Sequence, residues 1–333
     1  MKRTIIPAFL LLVITFAGCR QKSGIIMTVT GPFNAEEMGT CLPHEHVLVD
    51  FIGADSTGYH RWNKDTVIAR VLPYLLEARN SGVTSMVECT PSYLGRDPVL
   101  LQRLSRLSGI NILTNTGYYG AVENKAIPKH AYEETADQLA ERWIAEWENG
   151  IENTGIKPGF IKIAVPGDSV LSPIHEKIVR AAARTHLKTG LVINAHTGPF
   201  AAAEAELKIL KEEGVDPSAF IWTHAQSGDQ EDHVRLAAEG AWVSLDNVMN
   251  DNIDQYVSRL INLKKKDLLH RTLISHDAGW YDVIDPASVQ FRGYTAIFQY
   301  LKPALVKAGF TEEEMQMLLV KNPAKAYEIR VRM

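Results

Sequence analysis

Eight short apolar runs of β character alternate with eight helical patterns along a chain of 333 residues, and that rhythm predicts an α/β protein of the TIM (β/α)8 barrel class. Two further observations point the same way. Five of the apolar runs end in side chains that bind metals or move protons, and a barrel gathers strand ends around one axis. An open doubly wound sheet would lay them along a line, where five could not meet.

The first run, 39–42, leads through Pro43 into His44-Glu45-His46. The others are 83–89, 110–116, 159–165, 191–195, 220–224, 241–245 and 272–276. Helical patterns separate them at 65–80, 97–107, 134–149, 172–188, 201–213, 231–239, 252–263 and 288–308. Gly82, Gly109, Gly190, Gly214, Gly240 and Gly309 follow helical patterns where a left-handed stop is wanted. Residues 25–31 precede the first barrel strand and are expected to form a short N-terminal β flap. With no repeat, linker or charge block to divide them, residues 25–333 read as a single domain.

Apolar content of 46% and charged content of 22% fit a globular protein with a large core. The net charge of −4, without a Lys/Arg block, argues against nucleic acid as a partner. Lys2 and Arg3 precede an apolar stretch, 5–16, that ends in Phe16-Ala17-Gly18-Cys19. The stretch is shorter than the ~20 residues a spanning helix needs, so residues 1–19 read as a secretory signal. Ala17-Gly18 before Cys19 resembles the lipobox of bacterial lipoproteins. Cys19 would then carry the lipid, with 20–24 as a tether and an extracytoplasmic, membrane-anchored protein as the result. An ordinary signal with an incidental Cys, or an uncleaved anchor, is the alternative.

The strand-end residues are His44 and His46, then Lys162, His196, His224 and Asp277. A strand alternates its faces, so His44 and His46 point the same way and can grip one ion. A lone His at a strand end is more often a hydrogen-bonded core residue, and a lone Lys is normally a solvated cation. Five polar strand ends together are another matter, because burying each costs several kcal/mol unless a partner or metal compensates. These are the ligand types a two-metal hydrolytic site needs.

At Leu42-Pro43-His44-Glu45-His46, Gly95-Arg96-Asp97, Gly159-Phe160-Ile161-Lys162, Ala195-His196-Thr197, His224, Leu245-Asp246 and Ser275-His276-Asp277-Ala278-Gly279 the chain closely resembles the phosphotriesterase family of the amidohydrolase superfamily. The resemblance runs from about Gly31 to Asn322-Pro323-Ala324. It implies that His44, His46 and Asp277 bind the more buried of two divalent ions and that His196 and His224 bind the more exposed one. Lys162, carboxylated by carbon dioxide, would bridge them. A desolvated Lys has a lowered pKa, and its neutral amine can add carbon dioxide to give an anionic bridge. Imidazole and oxygen ligands suit zinc, and manganese, cobalt or iron are compatible. A bridging hydroxide would attack the substrate, with Asp277 as general base. The family also suggests a homodimer.

Tyr118, Tyr119 and Trp280 lie where βα loops would roof the metals, and Tyr119 resembles a tyrosine that lactone-hydrolysing members hold near the metal pair. Simple loop packing is the alternative for Tyr119. Cys89 has no base motif beside it and reads as a pocket wall. Efficient organophosphate hydrolases carry Asp-His after strand 7, whereas this chain has Asp246-Asn247. The expectation is therefore a hydrolase of an uncharged lactone or carboxylic ester. Alternatives are a phosphotriesterase, a one-metal deaminase, against which Lys162 argues, and a non-catalytic metal- or ligand-binding lipoprotein.

Overall fold

The computed structural model describes residues 24–286 and 291–333. The expected signal segment, Cys19 and the tether up to residue 23 lie outside them. Eight barrel strands run in chain order: β1 (Cys41–Glu45), β2 (Ser85–Glu88), β3 (Asn111–Leu113 and Asn115–Thr116, interrupted at Thr114), β4 (Phe160–Ala164), β5 (Ile193–His196), β6 (Phe220–Thr223), β7 (Trp242–Leu245) and β8 (Thr272–Ile274). Each pairs in parallel with the next. Just above β8, Asp277 N donates to His44 O (3.0 Å) and His46 N to Ala278 O (2.9 Å), which closes the ring between β8 and β1.

The helices form the outer layer: α1 (Lys64–Asn80), α2 (Pro98–Ser108), α3 (Ala136–Asn149), α4 (Pro173–Thr189), α5 (Phe200–Glu212), α6 (Gln230–Ala238), α7 (Ile253–Lys265) and α8 (Lys302–Lys307), the last preceded by a wide turn at Ile297–Leu301. Their starts follow capping chemistry: Asp97 accepts from Leu100 N, and Thr135 with Gln138 forms a capping box. Gly109 and Gly190 end α2 and α4 in the left-handed conformation.

Boundaries agree with the sequence expectation to within two residues except at two places. β1 continues to Glu45 instead of stopping at Leu42, with a register shift between those residues against β2. The last helical stretch, expected from residue 288, starts only at Ile297 among the described residues. Residues 291–295 fold back instead, and Gly279 N donates to Arg292 O at 3.0 Å.

Ile25–Thr28 and Gly31–Asn34 form an antiparallel hairpin. Its contacts are with strand starts and the C-terminal segment: Val29 N donates to Ile112 O, and Ile329 N donates to Ile25 O. Ile26 and Met38 pack there with Phe160, Val192, Ile221, Trp242 and Leu273. The hairpin thus lies under the barrel and does not reach the ligand end. Reading up each strand, the inward side chains change from apolar to polar to metal-ligating type: Val192, Asn194, His196; Leu273, Ser275, Asp277. The apolar base holds the ring together, and the chemistry is confined to the top.

Candidate metal centre

His44 in β1 and His46 just past it both turn toward Asp277. His46 Nε2 lies 3.2 Å from Asp277 Oδ1, and His44 Nε2 lies 3.6 Å from the same oxygen. Both His44 Nε2 and Asp277 Oδ1 are shut off from solvent without a hydrogen-bond partner. A bare buried polar atom costs about 1–3 kcal/mol. A divalent cation would satisfy both, and two imidazoles with a carboxylate are a donor set that suits zinc. Burial is the largest cause that pulls His44 down to about 4 and His46 to about 3, so both rings are neutral and can offer a lone pair at neutral pH.

The second imidazole pair comes from the ends of β5 and β6. His224 Nε2 lies 2.7 Å from His196 Nδ1. Burial holds His196 well below the usual histidine range, with the His224 and Lys162 charges adding to it. Burial also lowers His224, but the adjacent Asp246 outweighs it and the net shift is upward. Lys162, fully buried on β4, lies within electrostatic reach of all four imidazoles. The structure therefore gathers the six residues expected from the sequence at one end of the barrel.

Supporting residues that sequence reasoning did not assign hold these ligands. Asp246 accepts from His44 Nδ1 (2.8 Å) through one oxygen and from His224 Nδ1 (2.6 Å) through the other. With both Nδ1 atoms engaged by Asp246, Nε2 is the nitrogen of each ring left to bind an ion. Asp246 is within ligand distance of His44 and His224 as a group, but Gln226 Nε2 (2.9 Å) and His224 N (3.2 Å) also claim its oxygens, which makes it a buttress. Burial alone would raise its carboxyl, yet His224 and His44 hold it well below the ordinary range.

Glu45 points away from the ions and clamps the loop that carries Asp277. It accepts from Ser275 Oγ (2.8 Å), His276 N (3.0 Å), His276 Nδ1 (2.7 Å) and Ala278 N (2.8 Å). Thr90 Oγ1 lies 2.8 Å from His46 Nδ1, and Glu88 in turn accepts from Thr90 N and Val47 N. Glu45, between two ligand histidines on an alternating strand, and Asp246, an acid closing an apolar run, were visible in the sequence as buried acids, though not what they hold. The partners of Asp246 and Thr90 left no signal.

His224, Asn247, Asp277 and Trp280 are non-glycine residues with φ of 62°, 69°, 50° and 73°. Such backbone costs of order 1 kcal/mol or more each, and these four residues lie above β6–β8, beside the converging ligands. Trp280 packs over His46 (ring centroids 4.7 Å) and against Phe51 (5.8 Å). Tyr119 OH lies 3.2 Å from His196 Nε2. Tyr118 corrects the expectation: it faces the other way, buried against Tyr93 and Trp143 with its hydroxyl 2.9 Å from His130 Nε2. Alternation of adjacent residues places only one of the two tyrosines inside. Cys89 is buried, and burial raises its thiol far above the ordinary range, so it is no nucleophile.

The chain and its fold are similar to known proteins. The chain is similar to the phosphotriesterase homology protein of Escherichia coli, 26% identical over 87% of this chain and 98% of that one. It is similar to the aryldialkylphosphatase of Saccharolobus solfataricus, 27% identical over 88% and 96% respectively. The N-acetyltaurine hydrolase of Tetraodon nigroviridis is 24% identical over 90% and 97%. Among solved structures, the organophosphorus hydrolase of Deinococcus radiodurans superposes with a TM-score of 0.80 at 26% identity, covering 92% of this chain and 98% of that one. The profile of the phosphotriesterase family matches residues 24–327, and the chain belongs to that family as a metal-dependent hydrolase.

Proposed function

We propose that this enzyme hydrolyses an uncharged lactone or carboxylic ester at a binuclear centre. In this reading His44, His46 and Asp277 hold one ion, His196 and His224 hold the other, and carboxylated Lys162 joins them. Two divalent ions, zinc by the donor set, would supply an acidified water and polarise the scissile oxygen. Asp277 Oδ1 is buried without a hydrogen-bond partner, and its carboxylate would take the proton of a water held by the ions. Tyr119, with its hydroxyl beside His196, is placed to steady the leaving oxygen. Trp280 and Phe51 provide an apolar wall beside His46.

The observation that carries the substrate assignment is at Asn247. The residue following the Asp246 buttress is an amide with no titratable proton to relay, and its Oδ1 is taken by Arg292 Nη1 at 3.1 Å. Organophosphate turnover is the second reading, favoured by the names of the aryldialkylphosphatase and organophosphorus hydrolase relatives. The test is a screen of metal-loaded protein against lactones, carboxylic esters, N-acetyltaurine and paraoxon-like triesters. We expect kcat/KM for a lactone or ester to exceed that for the triesters by at least ~10²-fold, about 2.7 kcal/mol of discrimination. A triester as best substrate overturns the assignment, and no turnover of any class favours a binding lipoprotein.

The location we propose is outside the cytoplasm, with a lipid on Cys19 as the membrane anchor. It rests on the sequence of the signal segment. Replacing Cys19 by Ala should release the protein from the membrane fraction, and continued membrane association of a normally cleaved product would refute the anchor.

A further inference from the structure

Beneath the ligands lies a chain of buried hydrogen bonds whose direction is fixed from one end. Tyr327 OH donates to Pro43 O at 2.9 Å, and a carbonyl can only accept. The Tyr327 oxygen therefore accepts, and its donor is Asn194 Nδ2 at 2.9 Å. The same amide nitrogen lies 3.9 Å from Cys89 Sγ. This orients the Asn194 amide with Oδ1 toward Lys162, where it accepts from Lys162 Nζ and from Thr223 Oγ1, each at 2.8 Å. Lys162, Asn194, Thr223 and Tyr327 are all essentially inaccessible to solvent. Among the described residues no carboxylate lies within ion-pair distance of Lys162.

This environment discriminates between forms of the lysine. An ammonium carries three N–H bonds and needs an anion when buried, and a neutral amine carries two N–H bonds and a lone pair. A carbamate nitrogen carries one N–H, and a single neutral acceptor stands next to Nζ. We infer that Asn194, held by Tyr327 and Thr223, is the positioning residue that selects carboxylated Lys162 and aims it. The inference rests on the proposed carboxylation. In the reaction the amine nitrogen bonds to the carbon of carbon dioxide, one C=O π pair moves onto oxygen, and one N–H proton leaves to water. The remaining N–H donates to Asn194 Oδ1, so the new carboxylate points away from Asn194 and toward the imidazoles at the strand ends.

The experiment uses mature wild-type protein and the variants Asn194→Ala, Asn194→Asp and Tyr327→Phe, each loaded with zinc across a series of ¹³C-bicarbonate concentrations. The readouts are the carbamate ¹³C resonance, zinc per chain, and circular dichroism for folding. Wild type should show the resonance and two ions at ambient carbon dioxide. Asn194→Ala should need roughly 10-fold more bicarbonate for the same occupancy, the loss of one buried hydrogen bond, and Tyr327→Phe a smaller increase. Asn194→Asp should fold but show no resonance at any concentration, because its carboxylate pairs with the ammonium. Wild-type bicarbonate dependence in both Asn194→Ala and Tyr327→Phe overturns the inference while leaving the carboxylation intact. A wild-type protein without the resonance overturns both.

Discussion

Asp277 concentrates the residue-scale argument. Its backbone is left-handed, burial raises its carboxyl, and Oδ1 is unpartnered between His44 and His46. Asp277→Asn keeps an oxygen donor and removes the base, so kcat in metal-replete protein should fall ~10²-fold or more, and an unchanged kcat would remove Asp277 from the mechanism. A different carboxyl gives a pH prediction. Burial raises Glu206, on α5, to about 8, while Thr197 Oγ1 donates to it at 2.5 Å. The folded protein therefore keeps a proton that the unfolded chain loses above its ordinary carboxylate pKa. Stability from this group is intact below about pH 4.5 and declines through about pH 8 at roughly 1.4 kcal/mol per pH unit. Glu206→Gln should thus melt at a higher temperature than wild type, with a gap that widens from pH 5 to pH 8; a gap independent of pH would contradict the assignment.

At the scale of elements, the loops above β7 and β8 depend on close backbone approach. A Cβ on Gly279 (φ 98°) would stand 1.8 Å from His46 O and 2.5 Å from the Tyr294 hydroxyl. Gly309, at φ 85°, has open space around the same position. Gly309→Ala should therefore cost only the left-handed backbone term, about 1–2 kcal/mol, whereas Gly279→Ala should cost more and displace His46. Thermal melting and zinc content of the two variants test this, and equal losses would contradict it. The barrel strands and most helices were legible because apolar periodicity and capping are local signals. The fold-back at 291–295 was not, because it is determined by pairing with Gly279. The metal-ligand candidates were legible for an energetic reason, since His and Asp rarely end apolar strands without compensation. The roles of Glu45 and Asp246 were hidden because their partners lie about 230 and 202 positions away in the chain. A separation of 133 positions likewise hid Tyr327 beneath Asn194.

Over the whole molecule, the fold separates support from chemistry. The N-terminal hairpin and the apolar inward residues occupy the base, and the six ligand candidates meet at the opposite end. Gly24 begins the hairpin at the base, so the anchor proposed at Cys19 would hold the barrel from below and leave its catalytic end unobstructed. The same separation means that removing the ions should leave the barrel folded and abolish turnover, with activity restored by zinc and bicarbonate together. Failure to recover folded protein after chelation would contradict this. The central claim, that one chain builds a two-ion centre from His44, His46, Lys162, His196, His224 and Asp277, is tested most directly by metal analysis of the purified mature protein. After growth with zinc and bicarbonate, the account predicts two ions per chain in wild type and loss of metal together with activity in Lys162→Ala; one ion or none in wild type, or two retained in Lys162→Ala, would contradict it.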